Sequence, residues 1–247
     1  IAQGSGNFRA FMYTDTLTVP QGSTGRFGMT FVATGVDLTM KFKRTATTGN
    51  CQVDNIRVSL AEADRSVNGN GLQVFGTVTK NPVATGADLV AYSGFSNSNY
   101  LKQPYNSDLD FGTGDFCYQF WEKHTAPSAG TYGWFVDYDR EATAGWVLIG
   151  ANTSEQLRFE VASGVLADVS SPYGVWNCWA FVRRNNVCYV YRDGKQVASF
   201  GDGGANINAS SRGNGLYLGA LVTLSPAAFT TGSLALVRVS ATAPSDE

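Results

Sequence analysis

Asp110-Phe111-Gly112-Thr113-Gly114-Asp115-Phe116-Cys117-Tyr118-Gln119-Phe120-Trp121 decides the fold of this chain. Two glycines two residues apart mark a tight turn, and the chain leaves it through strict alternation, with Phe116, Tyr118 and Phe120 on one face. A period of two with aromatics on a single face is the signature of a strand lying on a core. Such a strand needs a second sheet to cover its aromatic face, so the stretch predicts a sandwich.

Moving outward, the same grammar recurs. Trp176-Asn177-Cys178-Trp179-Ala180-Phe181-Val182-Arg183 reads as a strand with Trp176, Cys178, Ala180 and Val182 sharing its apolar face. Arg183-Arg184-Asn185-Asn186 is a polar turn before Val187–Arg192, which makes a hairpin. Pairing Val182 with Val187 sets Cys178 opposite Tyr191, so Cys178 and Cys188 do not bridge. Asp193-Gly194 is a second tight turn. Further strands are expected at Leu72–Thr79, Asp88–Tyr92, Tyr100–Gln103, Gly133–Tyr138, Trp146–Ile149, Leu157–Val161, Val197–Phe200, Leu216–Leu221 and Leu234–Val239. The fold class is therefore all-β, an antiparallel two-sheet sandwich over residues 72–247.

Residues 1–61 form a smaller, partial β-domain, with strands at Phe8–Tyr13, Arg26–Phe31, Val36–Phe42 and Cys51–Leu60. Four strands close a two-sheet sandwich poorly, so this reads as the C-terminal part of a domain. Residues 62–71 are a linker, with one helical turn in Ala61-Glu62-Ala63-Asp64-Arg65.

Composition bounds the chemistry. Charged residues are 15%, against roughly 25% in ordinary soluble domains, and there are 28 glycines. That balance disfavours helical bundles and disordered tails. A net charge of −2 lacks the basic excess of a nucleic-acid binder. No apolar run is long enough to span a membrane as a helix. Four scattered cysteines (Cys51, Cys117, Cys178, Cys188) fit reduced, mostly buried thiols better than a disulfide scaffold or a zinc site. The chain holds one histidine, His124, in a segment where a strand runs out, and it reads as a surface residue. A Ser-His-Asp triad would have to use it, and no Gly-x-Ser-x-Gly elbow accompanies it. A multi-histidine metal centre is impossible.

The stretch from Asp110 to Trp121, the hairpin from Trp176 to Lys195 and the closing strand Gly232–Val239 resemble, in this order, the laminin-G-like, concanavalin A-like jelly rolls. A more particular likeness lies in Gly71–Val78, Ala91–Ser96, Asn99-Tyr100-Leu101, Pro104-Tyr105-Asn106 and Ser240-Ala241-Thr242-Ala243-Pro244-Ser245. These resemble the jelly-roll module of bacteriophage tail and other virion proteins. There the last segment leads into a helix, and Ser245-Asp246-Glu247 reads as its N-cap and acidic first turn. The segment ending in Val53–Val58 resembles the last strand of a carbohydrate-binding module.

The resemblance implies a non-enzymatic virion protein, a tail fibre or appendage module on the particle exterior. Its expected partners are other virion proteins, further copies of itself and a host-surface glycan. A purely structural decoration role and a polysaccharide depolymerase are the alternatives. The acid spacings and the Gln-x-His of the family's catalytic branches are missing, so no catalytic residue is named. Tyr132, Trp134, Tyr138 and Trp146 flank loops and are the candidate sugar-stacking rings, whereas Trp121, Trp176 and Trp179 are assigned to the core. Calcium is the one cofactor the fold suggests. Asp108, Asp110 and Asp115, with Asp202, Asn206 and Asn208, are its candidate oxygen ligands, although turns demand the same residues.

Overall fold

Alternation and turn chemistry build the observed strands directly. The computed structural model describes residues 8–12, 15–19, 40–44, 61–62, 71–85, 87–127, 132–138, 145–161, 165–208, 215–221 and 228–244. The expected strands Arg26–Phe31 and Cys51–Leu60, and the C-terminal helix start, lie outside them. The chain divides into two units, Ile1–Gln73 and Val74–Glu247.

In the first unit β1 (Phe8–Met12) pairs antiparallel with β2 (Asp15–Val19) and with β3 (Met40–Arg44). β4 (Ala61–Glu62) pairs with Gln73 and Leu72, so the first two residues of the expected helical turn are strand, and its remaining three lie outside the described residues.

The second unit contains two large antiparallel sheets. Its strands are β5 (Leu72–Phe75), whose first two residues belong to the first unit, β6 (Thr79–Pro82), β7 (Val90–Ser93), β8 (Tyr100–Gln103), β9 (Phe116–Lys123), β10 (Tyr132–Tyr138), β11 (Val147–Asn152) and β12 (Gln156–Val161). Then follow β13 (Val165–Ser170), β14 (Asn177–Arg184), β15 (Val187–Arg192), β16 (Lys195–Gly201), β17 (Leu216–Leu218), β18 (Ala220–Leu221), β19 (Ala228–Phe229) and β20 (Ser233–Ser240). One sheet runs β13-β12-β11-β10-β17-β8-β5, and the other is seven-stranded, β16-β15-β14-β9-β20-β7-β6. The only helical element among the described residues is a 3-10 turn, Ser107–Leu109. No described helix is long and apolar enough to cross a membrane.

The core is aromatic, as the deciding stretch requires. Phe116, Phe120 and Phe181 from the seven-stranded sheet meet Phe135 and Phe159 from the other, with ring centroids 5.1–6.5 Å apart. All five are fully buried. Tyr118 sits among them with a hydroxyl that finds no hydrogen-bond partner among the described residues. Burial raises its phenol pKa well above the usual value. An unpaired buried hydroxyl costs on the order of 1–3 kcal/mol, so Tyr118→Phe is expected to raise stability by about 1 kcal/mol. A urea titration checks this, and a loss of stability would reveal a partner for the hydroxyl.

The β14–β15 hairpin corrects the expected register. Arg184 pairs with Val187, leaving a two-residue Asn185-Asn186 turn, and Val182 faces Tyr189. Both asparagines have positive φ, 50° and 61°, the type I′ geometry that asparagine tolerates. Arg183 and Arg184 therefore belong to the strand. Its face assignment also inverts. Asn177, Trp179, Phe181 and Arg183 point inward, because each of the two polar members meets a buried carboxylate. Trp176, Cys178 and Ala180 lie toward the outer face, only partly buried.

Cys117, Cys178 and Cys188 are free thiols. Burial pushes Cys117 up to about 11 and Cys188 up to about 12, so neither is a thiolate near neutrality. β13 and β2 were not expected as strands.

Candidate functional site

The deciding stretch, continued past Trp121, carries Glu122, Lys123 and His124 to the end of β9. The alternation that buries Phe116, Tyr118 and Phe120 turns Glu122 inward and Gln119, Trp121 and Lys123 outward. Glu122 is completely buried. One of its oxygens, Oε1, accepts from Trp179 Nε1 at 2.8 Å, Ser171 Oγ at 3.1 Å and Asn177 Nδ2 at 3.2 Å. The other, Oε2, lies 2.6 Å from His124 Nδ1. His124 is 1% exposed, with its ring edge-on to Phe135 and Tyr173. The surface histidine expected from the sequence is thus a core residue. The reason is the carboxylate two positions earlier, which gives the imidazole a buried partner.

In front of this network lies a groove of about 440 Å³. Lys123, His124 and Thr125 from β9 and its exit, Trp176 before β14, and residues 230–233 at the start of β20 line one part. Residues 81–83, Ala91 and residues 93–95 around β6 and β7 complete it. Small residues make the depression. Ala91, Ser93 and Ser233 lie on strands at its floor, and Gly232 packs so tightly that an added Cβ would meet the Lys123 carbonyl at 2.7 Å. Ser233 is the cross-strand partner of Lys123. Extending the Asn177–Glu122 register by one residue puts Trp176 opposite Lys123 on its other side. The lining thus combines an indole, several hydroxyls, Asn81 and a lysine. Among the described residues it contains no Asp or Glu.

The four aromatic residues expected to stack on sugar are placed differently. Trp134, Tyr138 and Trp146 are buried, and only Tyr132 is partly accessible. Trp134 and Trp146 pack with Leu148 and Leu221, Tyr132 stacks on Trp134, and the Arg158 guanidinium lies 4.5 Å from the Tyr132 ring centroid. Tyr138 gives its hydroxyl to Asp110 at 3.3 Å. They do not form an exposed patch, because a loop-flanking position in the chain is still a core position in a twisted sheet. Conversely, Trp121 is 39% exposed and Trp176 lines the groove. Only Trp179 of the three tryptophans assigned to the core is fully buried.

The oxygen-rich loops are organised around an organic cation. Arg183, fully buried, donates from Nε to the Gly114 carbonyl at 2.7 Å and from Nη2 to the Gly112 carbonyl at 2.7 Å. Nη1 donates to the Ala205 carbonyl at 2.7 Å and to Asp202 Oδ2 at 3.1 Å. Asp110 accepts from the Tyr105 and Tyr138 hydroxyls, and Asp115 accepts from the Asn185 amide in the hairpin turn. Asp108 and Asn206 are exposed and Asn208 half-buried. Among the described residues no three of His, Cys, Asp or Glu converge as a metal-binding group. The carbonyls and the Asp202 carboxylate that a hard cation would use are thus turned toward a guanidinium.

A family model described as Laminin G 3, concanavalin A-like lectin/glucanases superfamily, matches residues 95–247. No curated protein matches. Among solved structures, the binding domain of botulinum neurotoxin DC in complex with SialylT superposes with a TM-score of 0.52 at 13% identity, covering 75% of this chain and 48% of that one. Trypanosoma rangeli sialidase in complex with the inhibitor DANA gives 0.52 at 10% identity, over 71% of this chain and 28% of that one. Domain 4 of AbnA, a GH43 extracellular arabinanase from Geobacillus stearothermophilus, in complex with arabinotriose, gives 0.52 at 16% identity, over 73% and 87%. At these identities the likeness is one of fold. The chain spans about half the length of the neurotoxin binding domains that it resembles.

Proposed function

Since this chain belongs to the concanavalin A-like lectin/glucanases superfamily, we propose that it recognises a glycan without cleaving it. The observation that carries the reading is the groove at the end of β9, β20 and β7. An indole face covers the apolar face of a sugar ring, and hydroxyl and amide groups beside it bond the sugar's own hydroxyls. Trp176 supplies the first, and Asn81, Ser93, Thr125, Thr231 and Ser233 supply the second. Hydrolysis of a glycosidic bond calls for a pair of carboxyl groups across that bond, and the described lining residues include none. Glu122 lies on the opposite face of β9 from Lys123, with both oxygens engaged by protein donors. We further propose, on the resemblance of residues 71–106 and 240–245 to phage tail modules, that the groove is displayed on a virion appendage and faces a host-surface polymer.

The test is a bacterial-surface glycan array probed with the wild-type chain and with Trp176→Ala. The expected result is binding to a small set of glycans, weakened about tenfold or more by the substitution, since an aromatic platform contributes a large part of a small interface. Absence of binding across the array, or binding indifferent to Trp176→Ala, overturns the reading and favours a purely structural role.

A further inference from the structure

The outer face of the seven-stranded sheet points to the charge of the ligand. The chain as a whole is slightly acidic, with a net charge of −2. The strands of this sheet are the reverse. On the outer face they carry Lys123, Arg184 and Arg238, while Lys80 and Arg192 share the inward face by register with Tyr92 and Trp179 and Arg183 is buried, and their single carboxylate is Glu122, which is fully buried. No strand of this sheet therefore presents an exposed acid. Among the described residues the exposed ionisable group of the groove is Lys123.

The cations are arranged along a line. Gln119, Trp121 and Lys123 are successive outward residues of β9, and all three are exposed. Arg238, also exposed, is the cross-strand partner of Gln119, and Ser233 that of Lys123. At about 3.3 Å per residue, Lys123 and Arg238 stand about 13 Å apart along the strand direction, with the Trp121 indole between them. That span takes more than one sugar ring. Among the described residues neither cation has a carboxylate partner in a salt bridge.

Resting on the glycan reading above, we infer that the ligand is an acidic glycan, a chain whose sugars carry carboxylates. It lies from the groove along β9, with one acid at Lys123, a ring on Trp121 and a further acid at Arg238. A charged donor meeting a carboxylate makes a stronger hydrogen bond than a neutral pair, and a cation–ring–cation line selects spaced negative charge over a neutral polymer.

The experiment measures affinity by calorimetry for two pairs of probes. One pair is galacturonic acid oligomers of increasing length and the same oligomers with their carboxyls reduced to alcohols. The other is sialylated lactose and lactose. Polyglutamate serves as a non-sugar polyanion. At least one acid is expected to bind about tenfold tighter than its neutral partner, with an affinity that falls as salt rises. Lys123→Gln with Arg238→Gln is expected to erase that preference, and Lys123→Arg to keep it. Acids that bind no tighter than their neutral partners overturn the inference, as does polyglutamate matching the acidic sugars. In the first case neutral-sugar binding still lost in Trp176→Ala leaves the glycan reading standing. Indifference of all binding to Trp176→Ala removes both.

Discussion

Replacing Arg183 by methionine is expected to lower the stability of the second unit by about 3–5 kcal/mol, the usual cost of breaking a buried ion pair from one side. The substitution keeps a similar apolar stem against Phe116, whose ring centroid lies 4.7 Å from the guanidinium carbon. It removes the guanidinium donors from the Gly112, Gly114 and Ala205 carbonyls, of which Gly112 keeps the Ile207 amide, and leaves the Asp202 carboxylate buried without its cation. Among the described residues Asp202 keeps only the Gly204 amide on its other oxygen. Urea unfolding followed by tryptophan fluorescence is the measurement. The double substitution Arg183→Met with Asp202→Leu is expected to recover part of the loss, because an apolar pair needs no compensation. A single-substitution loss below about 1 kcal/mol would mean that water replaces the guanidinium at little cost, and the loops do not depend on it.

Glu122→Ala is the second large effect. It leaves the Trp179 indole N–H, the Asn177 amide, the Ser171 hydroxyl and the His124 Nδ1 facing an empty site in the core. The Asn177 amide keeps the Val175 carbonyl, and each of the other, stranded polar groups costs on the order of 1–3 kcal/mol, with relaxation reducing the sum. A loss of about 3 kcal/mol or more is the expectation. Glu122→Gln keeps the shape and an acceptor oxygen, so its loss should be smaller, and His124→Leu, which spares three of the four bonds to Glu122, should also cost less. The network also holds the groove. Asn177 adjoins Trp176, and His124 adjoins Lys123 and Thr125. Glycan binding in Glu122→Ala is therefore expected to fall even at temperatures where the chain remains folded. Retention of full affinity in the folded variant would show that the groove is positioned by its own strands alone.

Much of the architecture was legible because strands advertise themselves through alternation. The run from Phe116 to Trp121 yields the strand, its buried face and the need for a covering sheet. The matched motifs then give the order of the later strands. What was not legible follows from polar residues that a core takes in. Reading Trp176, Cys178, Ala180 and Val182 as the apolar face of β14 was sound by hydropathy, but Asn177 and Arg183 are inward because Glu122 and Asp202 wait for them from other elements. His124 was misread for the same reason. Pairings between distant residues leave no periodic trace.

The site was half legible. Alternation through Phe120 already places Trp121 and Lys123 on the outer face, whereas the loop-flanking aromatics Trp134, Tyr138 and Trp146 go into the core. The groove itself depends on Ala91, Ser93 and Gly232 meeting across β7 and β20. Small residues carry little signal until register brings them together.

At the margin of the seven-stranded sheet lies β6, with the sequence Thr79-Lys80-Asn81-Pro82 and every residue exposed. Pro82 has no amide hydrogen to offer an incoming strand, and Lys80 would bring its charge into any flat stack. This border therefore discourages the continuous ladder by which β-proteins fuse into fibrils. Crowding many copies together, as any repetitive surface display does, then carries less risk of runaway polymerisation through this side, and contacts between copies are left to side chains, which can be made specific and reversible.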